Sequence, residues 1–193
     1  MKLILTRGSG ARGYRPGRGR SRRIAALYPP GHGASAAAAA ARLRICATRL
    51  GLNPALAGIK TLNRLESVLA RSEWNDARVW EGLMRDVDGN WVCGTMSNLF
   101  LRRGSLLMTP LIDRCGVAGV MRRFILENAG RLRLRVVERR IGWKDLDSAE
   151  EVFMSNAVVG IRSVRSIEWG RTRRLRFAQF DTASRLRAIL DNQ

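Results

Sequence analysis

Lys60 stands inside the stretch Leu56-Ala57-Gly58-Ile59-Lys60-Thr61-Leu62, in a chain whose 35 basic residues include only three lysines, Lys2, Lys60 and Lys144. Arginine carries the same charge, so chemistry that needs an amine is the first reason to look at this exception. A lysine amine set among apolar neighbours can lose its proton and attack a carbonyl, whereas a guanidinium stays charged and is a poor nucleophile. From the local sequence alone, a surface lysine that snorkels at a helix entry is the simpler explanation. Three other segments have backbone suited to an anion: Cys93-Gly94-Thr95-Met96-Ser97-Asn98, Cys115-Gly116-Val117-Ala118-Gly119, and Ser155-Asn156-Ala157. The second leads into a helix, and free N–H groups at a helix amino end stabilise phosphate. Gly and Ser mark ordinary turns far more often than ligand sites, so none of the three decides alone. Together with an amine nucleophile they describe a pocket for a phosphate-bearing aldehyde, which is what pyridoxal 5′-phosphate (PLP) requires.

Elements on either side must hold these residues in place. Leu62, Leu65, Val68 and Leu69 fall at helical spacing, with Arg64 and Glu66 on other faces, which predicts a helix over Leu62 to Arg71 with Lys60 at its entrance. Arg78 to Arg85 and Trp91-Val92-Cys93 read as strands joined at residues 86–90, and Leu99 to Arg103 with Ser105 to Thr109 as a hairpin turning at Arg103-Gly104. Val117 to Glu127 reads as a helix, Arg133 to Glu138 as a strand, and Trp143 to Ala149 as a short helix. Upstream, Lys2 to Thr6 is an apolar strand, Arg7 to Gly19 a glycine-rich loop, and Ile24 to Tyr28 and Leu43 to Thr48 are strands. Ala34 to Ala41 fits helix or solvent loop equally. Strands and helices mix without regular β-α-β alternation, so the expected class is α+β. An apolar opening strand needs a partner, which predicts a missing upstream element.

Composition removes several classes. A chain of 193 residues with 46% hydrophobic residues can build a core. No apolar run approaches the roughly 18 residues of a membrane span, and Met1 to Arg7 has no leader pattern, so a cytoplasmic protein without a membrane partner is expected. Cys46, Cys93, Cys115 and a single His give neither a disulfide framework nor a zinc pattern, and no metal is expected. The net charge of +19 suggests a polyanionic partner. The arginines, however, are spread from Arg7 to Arg187 with no aromatic-interleaved stripe, which fits codon bias and predicts no specific nucleic-acid partner.

The segment Gly58-Ile59-Lys60-Thr61-Leu62-Asn63-Arg64-Leu65 resembles the lysine motif of fold-type IV PLP enzymes. Thr95-Met96-Ser97-Asn98-Leu99-Phe100, Thr109-Pro110 and Gly116-Val117-Ala118-Gly119-Val120-Met121-Arg122 follow in that family's order and spacing. Three further features resemble the aminodeoxychorismate lyases more than the aminotransferases: the Arg7 to Tyr14 opening, Asn63-Arg64-Leu65-Glu66, and Met121-Arg122. The likeness covers nearly the whole chain and thins after Ile167.

The resemblance implies an α+β large domain over residues 51–193, with residues 1–50 as remnant strands and interdomain loop and the small amino-terminal domain largely missing. It implies Lys60 as the Schiff-base lysine and catalytic residue, with Arg64, Cys93, Thr95, Ser97, Asn98, Gly119, Val120, Met121, Asn156 and Ala157 around the cofactor. It also implies a homodimer that converts 4-amino-4-deoxychorismate to 4-aminobenzoate and pyruvate. Arg12 and Arg15 are the candidates for the substrate's two carboxylates. Cys93 departs from the family pattern, which places a glutamate there to face the pyridine nitrogen, and a thiol is a poor anionic partner. The alternatives are a branched-chain or D-amino acid aminotransferase of the same fold, and an inactive truncated basic binding protein.

Overall fold

The computed structural model describes residues 1–15, 17, 19–29, 39–170 and 172–192. Most of the alanine-rich segment 34–41 therefore lies outside the described residues. The chain divides into two compact units, Met1–Ala34 and Ser35–Gln193. In the first, β1 (Lys2–Thr6) pairs antiparallel with β2 (Arg22–Ala26), from Lys2↔Ala26 to Thr6↔Arg22. The opening strand thus pairs downstream with β2.

Among the described residues the second unit holds a nine-stranded sheet. Its strands are β3 (Ala41–Leu50), β4 (Glu81–Asp86), β5 (Trp91–Gly94), β6 (Asn98–Arg103), β7 (Leu106–Pro110), β8 (Arg135–Arg139), β9 (Glu151–Asn156), β10 (Gly160–Trp169) and β11 (Arg173–Arg176). The path runs β11-β10-β3-β4-β5-β6-β7-β8, and β9 pairs with both β10 and β6. Strands β10, β3, β4, β5, β6 and β9 therefore close into a ring, with β10/β3 and β3/β4 parallel. Helices α1 (Leu65–Arg71), α2 (Val120–Asn128), α3 (Trp143–Asp147) and α4 (Asp181–Asp191) pack around it. None of the described helices is long and apolar enough to cross a membrane.

The period-2 alternation of the strands distributes side chains between cores. Leu99 and Leu101 of β6 join Val152 and Met154 of β9 in one cluster, while Phe100 and Phe153 face the other way and stack at 5.0 Å beneath α2 and α4. In β3, Ala41, Leu43 and Ile45 enter the first cluster, and Cys46 and Leu50, on the opposite face of the strand, enter a third, with Ala70, Trp74, Met84 and Val92. Residues 41–50 are thus part of the large sheet and not of the amino-terminal remnant. Helix α1 also differs from expectation: its buried residue is Ala70, and the apolar stripe of Leu62, Leu65, Val68 and Leu69 is exposed.

Candidate active site

A cleft of about 640 Å³ opens in the second unit, within the roughly 300–1,000 Å³ range of small-molecule sites. Lys60 lines it. The segment carrying Lys60 is fastened to the loop before α2: the Gly58 N–H donates to Gly116 O at 3.1 Å, and the Ala118 N–H donates to Gly58 O at 3.0 Å. Arg64 braces the same segment. Its guanidinium donates to Ile59 O at 3.0 Å and Thr61 O at 3.1 Å, the carbonyls on either side of Lys60. Arg64, expected from the sequence beside the cofactor, thus fixes the backbone that presents the lysine.

At the far end of the same loop, Asn98 donates through Nδ2 to Val117 O at 2.8 Å. Gly119 lies so close to Asn98 Oδ1 that a Cβ there would collide with it. Helix α2 follows with no side-chain cap, leaving its first N–H groups available to an anion, and Gly119 and Val120 line the cleft. Asn156 and Ala157 line it too, in a turn held by Asn156 Oδ1, which accepts from the Val158 and Val159 N–H groups.

The Cys93 to Asn98 wall differs from what the sequence predicts. Cys93, Thr95, Ser97 and Asn98 do line the cleft. The Thr95 and Met96 N–H groups and the Thr95 and Ser97 hydroxyls, however, turn away from it, to the buried carboxylate of Glu81. Burial, reinforced by Glu81, pushes the Cys93 thiol up to about 12, so it faces the cleft as a neutral S–H. Met121 is not among the lining residues and packs against the Phe100–Phe153 cluster. Arg12 and Arg15 belong to the first unit, and the cleft is lined by residues of the second. Glu81 was missed in the sequence; its one signal was a carboxylate within the apolar strand Trp80-Glu81-Gly82-Leu83-Met84.

An amine on one wall, an uncapped helix amino end on another and a volume suited to a small molecule fit a phosphate-bearing aldehyde. A family profile described as amino-transferase class IV matches residues 1–167. The chain belongs to the class IV amino-transferase family. Enzymes of this family depend on pyridoxal phosphate. The chain is 35% identical over 169 residues to the aminodeoxychorismate lyase of Vibrio harveyi, a match that covers 86% of this chain and 62% of that protein. It is 34% identical over 106 residues to the branched-chain-amino-acid aminotransferase of Escherichia coli, covering 55% of this chain and 34% of that one. A crystal structure of 4-amino-4-deoxychorismate lyase from Pseudomonas aeruginosa superposes with a TM-score of 0.90 at 40% identity, over 99% of this chain and 70% of that chain. The class IV fold here, an α+β sheet closed by β9, thus spans less than two thirds of the length of the Vibrio relative.

Proposed function

We propose that the chain carries the catalytic part of an aminodeoxychorismate lyase, which converts 4-amino-4-deoxychorismate to 4-aminobenzoate and pyruvate with PLP held by Lys60. The observation that carries this is the position of Lys60 on the cleft wall, hydrogen-bonded through its segment to the loop that opens α2. The identities of 35% and 40% to two lyases favour that branch over the aminotransferases.

Bound PLP supplies a ring that withdraws electrons from the carbon bearing the substrate's amine. The chain's own residues do the rest. Lys60 is the group that would hold the cofactor's aldehyde carbon, and its amine is also the base within the cleft for the proton at the substrate's C4. Loss of that proton and of the enolpyruvyl ether leaves an aromatic ring, and Lys60 Nζ can return the proton to the departing three-carbon fragment as it becomes pyruvate. Gly119 and Val120, with Asn156 and Ala157, line the cleft and would receive the phosphate, and Arg64 keeps the lysine segment in place. Arg12 and Arg15 are assigned to the substrate's carboxylates.

The enzyme is assigned to the cytoplasm and to a homodimer. The exposed apolar stripe of α1, with Leu65 at 64% and Leu69 at 52% exposure, supports burial against a second chain. Sedimentation at increasing concentration measures that association, and a monomer throughout counts against it.

The test of function is to incubate the chain with PLP and aminodeoxychorismate and follow 4-aminobenzoate and pyruvate. Equal amounts of both, lost in Lys60→Ala, are expected. Transfer of amino groups from branched-chain amino acids to keto acids, without 4-aminobenzoate, would place the chain with the aminotransferases. A colourless protein with neither activity would sink the cofactor assignment.

A further inference from the structure

The group that organises the Thr95–Ser97 wall lies behind it. Glu81, on β4, is fully buried. One carboxylate oxygen accepts from the Gly82 N–H at 2.9 Å, the Thr95 N–H at 3.1 Å and the Thr95 hydroxyl at 2.6 Å. The other accepts from the Met96 N–H at 3.2 Å and the Ser97 hydroxyl at 2.7 Å. These partners are all neutral, so the charge is held by donors converging on both oxygens, as a small anion would be held in a binding site. Gly94 completes the fit, because a Cβ there would run into Ser97 Oγ and the carboxylate itself.

We propose that Glu81 is a positioning residue for the cofactor: it occupies the Thr95 and Met96 N–H groups and the Thr95 and Ser97 hydroxyls as the protein's own anion, closes that wall to phosphate, and sends the phosphate to the amino end of α2. The assignment rests on the PLP proposal above. Without Glu81 the Met96 N–H and the Thr95 and Ser97 hydroxyls would offer a second set of donors beside the start of α2, and a phosphate could settle at either. With it, one region has its donors turned inward and a negative charge behind them, which repels a second anion. The other keeps its donors and the positive end of a helix dipole, with no side-chain cap at Gly119. Phosphate and aldehyde are carried on neighbouring positions of one rigid ring. The seat of the phosphate therefore decides whether the aldehyde reaches Lys60.

The experiment uses the full chain as wild type, Glu81→Gln, Thr95→Val, Ser97→Ala and the combined Glu81→Gln/Ser97→Ala protein. Three quantities are measured: the melting temperature without PLP, the PLP dissociation constant from visible absorbance, and the inhibition constant of inorganic phosphate against PLP. Lys60→Ala serves as the blank for imines on Lys2 and Lys144. Thr95→Val and Ser97→Ala are expected to lower the melting temperature and to change PLP and phosphate affinity by less than about threefold, since their hydroxyls serve Glu81. Glu81→Gln is expected to weaken PLP by about tenfold or more while inorganic phosphate binds no more weakly, a split that general loosening of the fold does not produce. Ser97→Ala should add little to Glu81→Gln, because its acceptor has already changed.

Tenfold weaker PLP in Thr95→Val or Ser97→Ala at an unchanged melting temperature would overturn the proposal, because those hydroxyls would then touch the cofactor. Wild-type affinities in Glu81→Gln would overturn it as well. If Glu81→Gln does not fold, the two hydroxyl variants decide by the same criteria. A wild-type chain that takes up no PLP at all fails the cofactor proposal itself, and the steering role falls with it; this is recognisable because no protein in the series then develops absorbance.

Discussion

On one side of the cleft, the Thr95 and Met96 N–H groups and the Thr95 and Ser97 hydroxyls point into the protein, to Glu81. On the other, Gly58 bonds through both its N–H and its carbonyl to the Gly116 to Gly119 loop, and the start of α2 is left open. Both walls are short, small-residue segments and look alike as sequence. They differ in whether a buried acceptor lies behind them, and that acceptor comes from a strand more than ten residues upstream. Small polar loops thus become ligand sites or structural turns according to what the rest of the fold places beneath them.

The largest expected effect lies on the open wall. Lys60→Ala should lower 4-aminobenzoate formation by about 10³-fold or more and abolish cofactor absorbance, measured by product assay and visible spectrum. Retained colour would move the covalent site to Lys2 or Lys144 and break the contrast between the walls.

Gly119→Ala forces a methyl group against Asn98 Oδ1, where the walls meet. A loss of about 1–3 kcal/mol in urea unfolding is expected, with weaker PLP binding. An unperturbed variant would mean that the Asn98 link to the Val117 carbonyl is easily re-formed.

Arg64→Met removes the guanidinium that spans Ile59 O and Thr61 O. About a tenfold fall in turnover with little change in melting temperature is expected, since the segment is partly exposed and the loss is one of aim. If PLP affinity falls and turnover at saturating PLP does not, Arg64 acts on the cofactor directly.

The smallest effect is on the closed wall and appears at alkaline pH. Burial, with Glu81 nearby, raises the Cys93 thiol from 9.0 to about 12. Between those values the unfolded chain loses the proton and the folded chain keeps it, so stability falls as pH rises, by up to about 1.4 kcal/mol per pH unit. Cys93→Ser should flatten the dependence of urea unfolding between pH 9 and 10.5. Some slope should persist from Cys46, which burial and then Glu73 also raise to about 12. An unchanged slope would show that Cys93 is reached by solvent from the cleft.

Much of this was legible in the residues. The hairpin at Arg103-Gly104 follows from local spacing, and β6 and β7 form where it predicts, while α1 and α2 each begin three residues later than their apolar spacing suggests, at Leu65 and Val120. The stripe on α1 was legible as a pattern, but its burial was not: periodicity locates an apolar face without naming what covers it. Glu81 was illegible for a related reason. A single carboxylate in a strand has no periodicity, and its partners at 95–97 reach it only through the pairing of β4 with β5. Ser155, singled out in the sequence with Asn156 and Ala157, is buried beside Asn98 in the β6/β9 ladder, with no partner for its hydroxyl among the described residues.

Strand β9 pairs with β6 from Asn98↔Ser155 to Arg102↔Glu151, and with β10 from Gly160↔Asn156 to Val164↔Val152. Its amides and carbonyls are engaged on both flanks, so it cannot peel away as an edge strand does; it leaves only when both ladders break. In hydrogen exchange its protected amides should therefore behave as a slow-exchanging unit, released at the free energy of global unfolding, while those of the Gly58 to Thr61 segment exchange through local openings. Asn98 and Asn156 stand at the ends of these ladders, so the cleft meets β9 where its doubly paired core begins.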